Sequence, residues 1–165
     1  LDKVDIITGT FGKALGGASG GFCTGHQQMI NLLRQTSRPY LFSNALAPPI
    51  ANAGIKALDD LTKSKKLIQK LNSRVKAVKE GLTKASVPFN NNCHAIIPIM
   101  LYEAKKALRF EKYCKSKGVF VTAFSYPVVP KNQARVRLQV SAELTDQEIK
   151  KACQVFKEAW TSVEK

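Results

Sequence analysis

The chain has 165 residues, of which 44% are hydrophobic, and a formal net charge of +14. That length suffices for one domain with a real core and is marginal for two, and the apolar content is ordinary for a globular protein. No apolar run reaches the 18 or so residues that a membrane helix requires, which excludes a spanning helix.

The opening LDKVDIITGT has neither the basic start nor the long apolar core of a secretory leader. It begins without Met and in mid-strand, and is expected to be cut from something longer. Val4 to Thr8 is a β-branched run that reads as a buried strand. Gly20 to Gly25, GGFCTG, reads as a second strand with turn glycines at both ends. His26 to Gln35 places Met29, Ile30, Leu32 and Leu33 at helical spacing. Thr36 to Pro49 shows neither period, yet Tyr40, Leu41 and Phe42 stand in a row. Such a segment is too apolar for an exposed loop and is expected to lie against another body, such as a partner subunit.

Pro48 and Pro49 suit the first turn of a helix that continues over Ile50 to Leu61. Lys63 to Ala85 follows as an amphipathic helix, with Leu67, Leu71, Val75 and Val78 on one stripe and a basic face opposite. Phe89 to Cys93 is a turn-rich connection. His94 to Leu101, HAIIPIML, reads as a strand, and Pro98 makes it an edge strand or an irregular one. Ala104 to Lys117 is helical and Gly118 ends it. Val119 to Phe124 is a strand, and Tyr126 to Ala134 a proline-bounded loop. Arg135 to Ser141 alternates, with Arg135, Arg137 and Gln139 on one face and Val136, Leu138 and Val140 on the other. Thr145 and Glu148 form a capping box, and Ile149, Ala152, Cys153, Phe156 and Trp160 then make one apolar stripe. From about Ser86 onward the pattern predicts a compact α+β unit, a small sheet with helices on one face.

Cys23, Cys93, Cys114 and Cys153 share no C-x-x-C spacing, and only His26 and His94 stand beside them as possible ligands. No metal site or disulfide framework is expected; a reducing compartment fits, and each cysteine reads as a small buried hydrophobe. The positive charge raises nucleic acid as a partner. No aromatics interleave with the basic residues to stack on bases, so the lysines read as a solvated helical face.

One segment asks for chemistry. In TGTFGKALGGASGGF, Thr8 to Phe22, small residues crowd around Lys13. A lysine becomes a nucleophile toward a carbonyl when it is desolvated. Gly9, Gly12, Gly16 and Gly17 allow close approach, and Thr8, Thr10 and Ser19 offer hydroxyls for a phosphate. The set suits pyridoxal phosphate; a glycine-rich turn with a surface lysine fits the composition equally. Taken by itself, Arg137 reads as a strand arginine facing solvent. His94 reads as structural.

DIITGTFGKALGGASGGF closely resembles the Schiff-base lysine motif of the α-oxoamine synthases, fold type I enzymes that use pyridoxal phosphate. Within that family SRPYLFSN, HAIIPIML and YPVVPKNQARVRLQVSA are most similar to the branch that joins glycine to acetyl-CoA. The resemblance implies the fold class: α/β, the fold type I transferase fold, as a C-terminal fragment. Residues 1–61 would end the large cofactor domain and supply the linking helix, and 62–165 would form the small α+β domain. It implies that Lys13 carries the cofactor and acts as acid and base at the substrate Cα. Thr10 would hold the phosphate, and Ser43 and Asn44 would reach the neighbouring subunit's phosphate in a homodimer with its active site at the interface. Arg137 would pair with the amino acid carboxylate, with Arg135 the less favoured partner. Glycine and acetyl-CoA would be the substrates, with no nucleic acid, membrane or metal involved, in the mitochondrion or the cytoplasm.

Two departures qualify the resemblance. Leu144 stands in SAEL where the family usually has a histidine. The family's ring-pairing aspartate, ring-stacking histidine and glycine-rich helix start are missing, so this piece is expected to be inactive alone. The alternatives are the sister 5-aminolevulinate, 8-amino-7-oxononanoate and serine palmitoyltransferase activities and, from another class, a basic α+β module that binds polyanions.

Overall fold

A computed structural model of the chain describes residues 3–16 and 19–164. By contact it divides into two compact units, Leu1–Lys65 and Lys66–Lys165; the border that the resemblance implies falls after Leu61.

In the first unit, β1 (Ile6–Thr10) and β2 (Gly21–Gly25) form an antiparallel ribbon, with Ile6 opposite Gly25 and Thr10 opposite Gly21. β1 starts later than the β-branched run suggests and continues through Thr10. It is also not the buried strand expected, since Val4 is 52% exposed and most of β1 faces outward. α1 (Gln27–Thr36) follows, with His26 at the N-cap position. Among the described elements β1 contacts only β2, and α1 touches the ribbon through β2 alone. The segment expected to be aperiodic contains a short helix, α2 (Arg38–Phe42), with a proline in its first turn. Five residues are too few to display a period, so pattern alone misses it. α3 (Pro48–Lys63) begins at the proline pair as expected. It runs past Leu61 because Lys63 belongs to its last turn, 3.7 Å from Asp59, where a cation suits the helix end.

The second unit comprises α4 (Lys66–Lys84), β3 (Ile96–Tyr102), α5 (Ala104–Ser116), β4 (Thr122–Phe124), β5 (Ala134–Gln139) and α6 (Asp146–Glu164). Its sheet is antiparallel in the order β3-β5-β4. β3 is an edge strand, and the reason Pro98 is tolerated is visible. The Pro98 carbonyl accepts from the Asn90 N–H at 2.9 Å, outside the sheet, so its missing N–H faces the edge rather than β5. β4 is shorter than the run Val119 to Phe124, since Val119 is used elsewhere. Its N–H donates to Cys114 O at 2.9 Å and that of Gly118 to Lys115 O at 3.0 Å, a helix-end motif that places Gly118 at φ +74.

Alternation along β5 holds: Ala134, Val136 and Val140 are buried, while Arg137 and Gln139 are exposed. α5 packs on the sheet, and α6 on α4 and α5. Leu82, Ile97, Ile99, Phe110, Val136 and Phe156 are fully buried, with the Phe110 and Phe156 rings stacked at 6.1 Å. On α4 the packed stripe is Leu71, Val75, Val78 and Leu82. Leu67, expected on that stripe, is 57% exposed because the contact begins a turn later. The capping box forms as expected: Glu148 accepts from the Thr145 N–H at 2.8 Å, and the Glu148 N–H donates to Thr145 Oγ1 at 3.2 Å.

Candidate functional site

In the first unit, backbone and hydroxyl bonds tie together the two ends of the lysine-bearing turn. The Phe11 N–H donates to Gly20 O at 3.0 Å. Thr10 Oγ1 donates to the same carbonyl at 3.2 Å and accepts from the Gly12 N–H at 3.3 Å. Gly20 lies at φ +84, and the Leu46 side chain occupies the place a Cβ would take, with Cδ1 at 2.6 Å, so only glycine fits. The Phe11 ring packs against Phe22 at 5.4 Å and lies over Gly54 of α3. The turn is thus anchored on both sides of Lys13. The Lys13 side chain is exposed and has no hydrogen-bond or ion-pair partner among the described residues. Gly17, named above as a point of close approach, lies outside the described residues.

Ser43 and Asn44 meet Ser19, Gly20, Gly21 and Tyr40 around one hollow of about 1030 Å3. Lys13 and Thr10 are not among its described lining, although Thr10 reaches its wall through the bond to Gly20. Tyr40 is among the residues lining this hollow, a position that the apolar row Tyr40 to Phe42 does not announce. Those three side chains, expected to lie against another body, are exposed in this chain.

In the second unit, Arg137 projects from the sheet face opposite the core, between Pro98 of β3 and Thr122 of β4. Its guanidinium has no hydrogen-bond or ion-pair partner among the described residues. Arg135 shares that face but is engaged. Its Nε donates to Gln133 O at 3.1 Å and its Nη2 to Gln133 Oε1 at 3.1 Å. No pattern in the sequence points to this partnership. His94 lies in a bend before β3 rather than in the strand, and its backbone N–H donates to Asn92 Oδ1 at 3.0 Å. Leu144 packs against the core of this unit.

The cysteines divide. Cys114 is buried, as expected, and burial pushes its thiol up to about 12. Cys153 is half-buried and shifted in the same direction for the same reason. Cys23 and Cys93, also expected to be buried, are exposed: one sits on the β1-β2 ribbon, the other in the bend before β3. All four are free, and among the described residues no three His, Cys, Asp or Glu side chains gather as a metal site.

The family model described as aminotransferase class I and II matches residues 2–156. The 2-amino-3-ketobutyrate coenzyme A ligase of Escherichia coli (strain K12) is 46% identical over 156 residues, covering 94% of this chain and 39% of that protein. The mitochondrial protein of the same name from Homo sapiens is 42% identical over 158 residues, covering 96% of this chain and 38% of that protein. The chain thus spans about two fifths of the length of the curated relatives it matches. Among solved structures, serine palmitoyltransferase from S. paucimobilis superposes with a TM-score of 0.89 at 24% identity, covering 98% of this chain and 41% of that one. The 8-amino-7-oxononanoate synthase of Francisella tularensis superposes with a TM-score of 0.83 at 22% identity, covering 98% and 47%. These likenesses show the fold: α/β, the expected fold of the fold type I enzymes. The chain belongs to the aminotransferase class I and II family, and the relatives it matches within it are α-oxoamine synthases.

Proposed function

We propose that the whole protein is a pyridoxal phosphate-dependent acyltransferase, a glycine C-acetyltransferase. It joins the glycine Cα to the acetyl carbonyl of acetyl-CoA, releasing CoA and 2-amino-3-oxobutyrate, or runs in reverse in threonine breakdown. The observation that carries this reading is the 46% identity to a 2-amino-3-ketobutyrate coenzyme A ligase across 156 residues that include the Lys13 turn and the Arg137 strand.

The residues present fit the cofactor. Lys13 offers an amine without a competing partner among the described residues, and Ser19, Ser43 and Asn44 offer hydroxyl and amide donors around one hollow that Lys13 itself does not line. Lys13 would hold the cofactor through its aldehyde. Thr10 would exchange its bond to Gly20 for one to the phosphate, and Ser43 and Asn44 would serve the phosphate of the second subunit in a homodimer. Bound there, pyridoxal phosphate supplies an electron sink for negative charge at the substrate Cα. The Lys13 amine then takes the Cα proton and later returns one. Arg137 suits the glycine carboxylate because its planar fork is open and matches two oxygens. The compartment is mitochondrial or cytoplasmic; matching relatives include mammalian proteins named mitochondrial and bacterial ones.

An assay of the full-length protein with glycine and either acetyl-CoA or succinyl-CoA tests this reading. Turnover with acetyl-CoA and little with succinyl-CoA supports it. Preference for succinyl-CoA, or for a longer acyl chain, assigns the protein to a sister synthase. The basic surface is read as attracting anionic CoA, so acetyl-CoA should associate more slowly as salt rises; an association rate independent of salt removes that role.

A further inference from the structure

We infer that Gln133 determines which guanidinium on the open face of the β3-β5-β4 sheet is available to a carboxylate, and thereby keeps dicarboxylic amino acids out of the site. The inference rests on the reading of Arg137 as the carboxylate-binding residue and adds a specificity element to it.

Arg135 and Arg137 are two residues apart on β5, so their side chains leave the same face about 7 Å apart at their roots. Each stands between two neighbours, Arg135 between Met100 and Phe124, and Arg137 between Pro98 and Thr122. Neither has a carboxylate partner. Two unpaired guanidinium groups at that spacing would make a receptor for a dicarboxylate.

Gln133 prevents this. Nε and Nη2 lie on one edge of the guanidinium, an edge suited to bidentate recognition of a carboxylate. On Arg135 that edge is fully used, Nε by the Gln133 backbone carbonyl and Nη2 by its side-chain carbonyl, each at 3.1 Å. A neutral amide thus takes the place that a substrate's second carboxylate would take. Arg137 has no such partner and keeps its fork open. Two of the five N–H donors of Arg135 are thus taken, so the face presents one guanidinium with every edge open, Arg137, and one with its Nε–Nη2 edge closed, which favours an amino acid without a second acid group.

The test uses the full-length, cofactor-loaded protein and calorimetric binding of glycine and L-aspartate. Gln133→Ala frees Nη2 and should tighten L-aspartate binding about tenfold, the effect of one charge-assisted hydrogen bond, with glycine affinity changed by less than about threefold. Gln133→Glu restores an acceptor for Arg135 and should abolish the gain, as should Gln133→Ala combined with Arg135→Gln. An unchanged L-aspartate affinity in Gln133→Ala, with glycine binding still lost in Arg137→Ala, overturns this inference alone. Glycine binding that survives Arg137→Ala overturns the carboxylate reading and this inference with it. A second measurement needs neither ligand nor activity: the Arg135 Nε–H, held by Gln133, should exchange with solvent more slowly than that of Arg137, by NMR. Equal exchange contradicts the inference directly.

Discussion

The second unit buries Leu82, Ile97, Ile99, Phe110, Val136 and Phe156 completely, whereas the first buries only Gly54 among its described residues. In the first, Phe42 is 79% and Leu32 62% exposed in the context of the whole chain. The two stretches do not differ in kind of sequence: both have amphipathic helices, proline-marked boundaries and short strands. They differ in whether the apolar stripe of one element finds the stripe of another within the unit. In α4, α5 and α6 it does. Among the described elements of the first unit β1 meets only β2 and α3 meets none, while α1 touches α2 and β2. The catalytic lysine proposed here lies in the open unit and the arginine in the closed one. Chemistry that depends on Lys13 therefore depends on surface this chain leaves uncovered.

Mutations can break that contrast. Phe156→Ala removes a fully buried ring and should lower stability by about 3–5 kcal/mol in urea unfolding. Phe42→Ala, tested in this chain, should change stability by no more than about 0.5 kcal/mol; comparable losses would show that the first unit has a core of its own. Thiol chemistry sharpens the contrast within the second unit. At pH 8 a disulfide reagent should label Cys93 at the rate of an ordinary thiol. Cys114, buried and pushed up to about 12, should react on the order of a thousandfold more slowly through its smaller thiolate fraction alone. Equal rates would mean that the core opens freely.

Smaller effects follow from backbone and caps. Thr145→Ala should lower stability by about 1 kcal/mol by unmaking the capping box. The Thr145 N–H and hydroxyl hold the Glu148 carboxyl below the usual carboxylate range. A lowered folded-state value stabilises above the unfolded value of about 4.3, and that contribution is lost as the pH falls through the folded-state value. Melts between about pH 5 and pH 3 should show a shallower acid loss in Glu148→Gln than in the wild type; identical profiles would deny the cap its role. Tyr102 has φ +63, and the Glu103 N–H closes back onto Leu101 O at 2.6 Å, a three-residue turn at the end of β3. That conformation strains a bulky residue. Tyr102→Gly should raise stability by up to about 1 kcal/mol; a clear loss would show that the tyrosine ring outweighs the strain.

How legible all this is from the sequence varies with the physics of each element. Spacing alone identifies α5, α6 and the alternation of β5, because their partners lie close in the chain and each buried position repeats at the helical or strand period. The Gly118 stop and the Thr145–Glu148 cap are local chemistry and appear where expected. The exposure of β1 and of Cys23 is not legible, since a β-branched run says that a strand wants cover and not that the cover is at hand. α2 is too short to carry a period. Of the site, Lys13, Thr10 and Arg137 stand out through motif resemblance. The Gln133–Arg135 pair does not, because a glutamine two residues before a strand arginine has no signature until the side chains are placed.

The most direct test of the account is borohydride reduction of the full-length protein followed by peptide mapping. A stable pyridoxyl adduct on Lys13, and none after Lys13→Ala in a protein that remains folded, is the predicted result. An adduct on another lysine, or none on a cofactor-loaded wild type, would contradict the assignment of Lys13 as the cofactor-bearing residue and with it the proposed function.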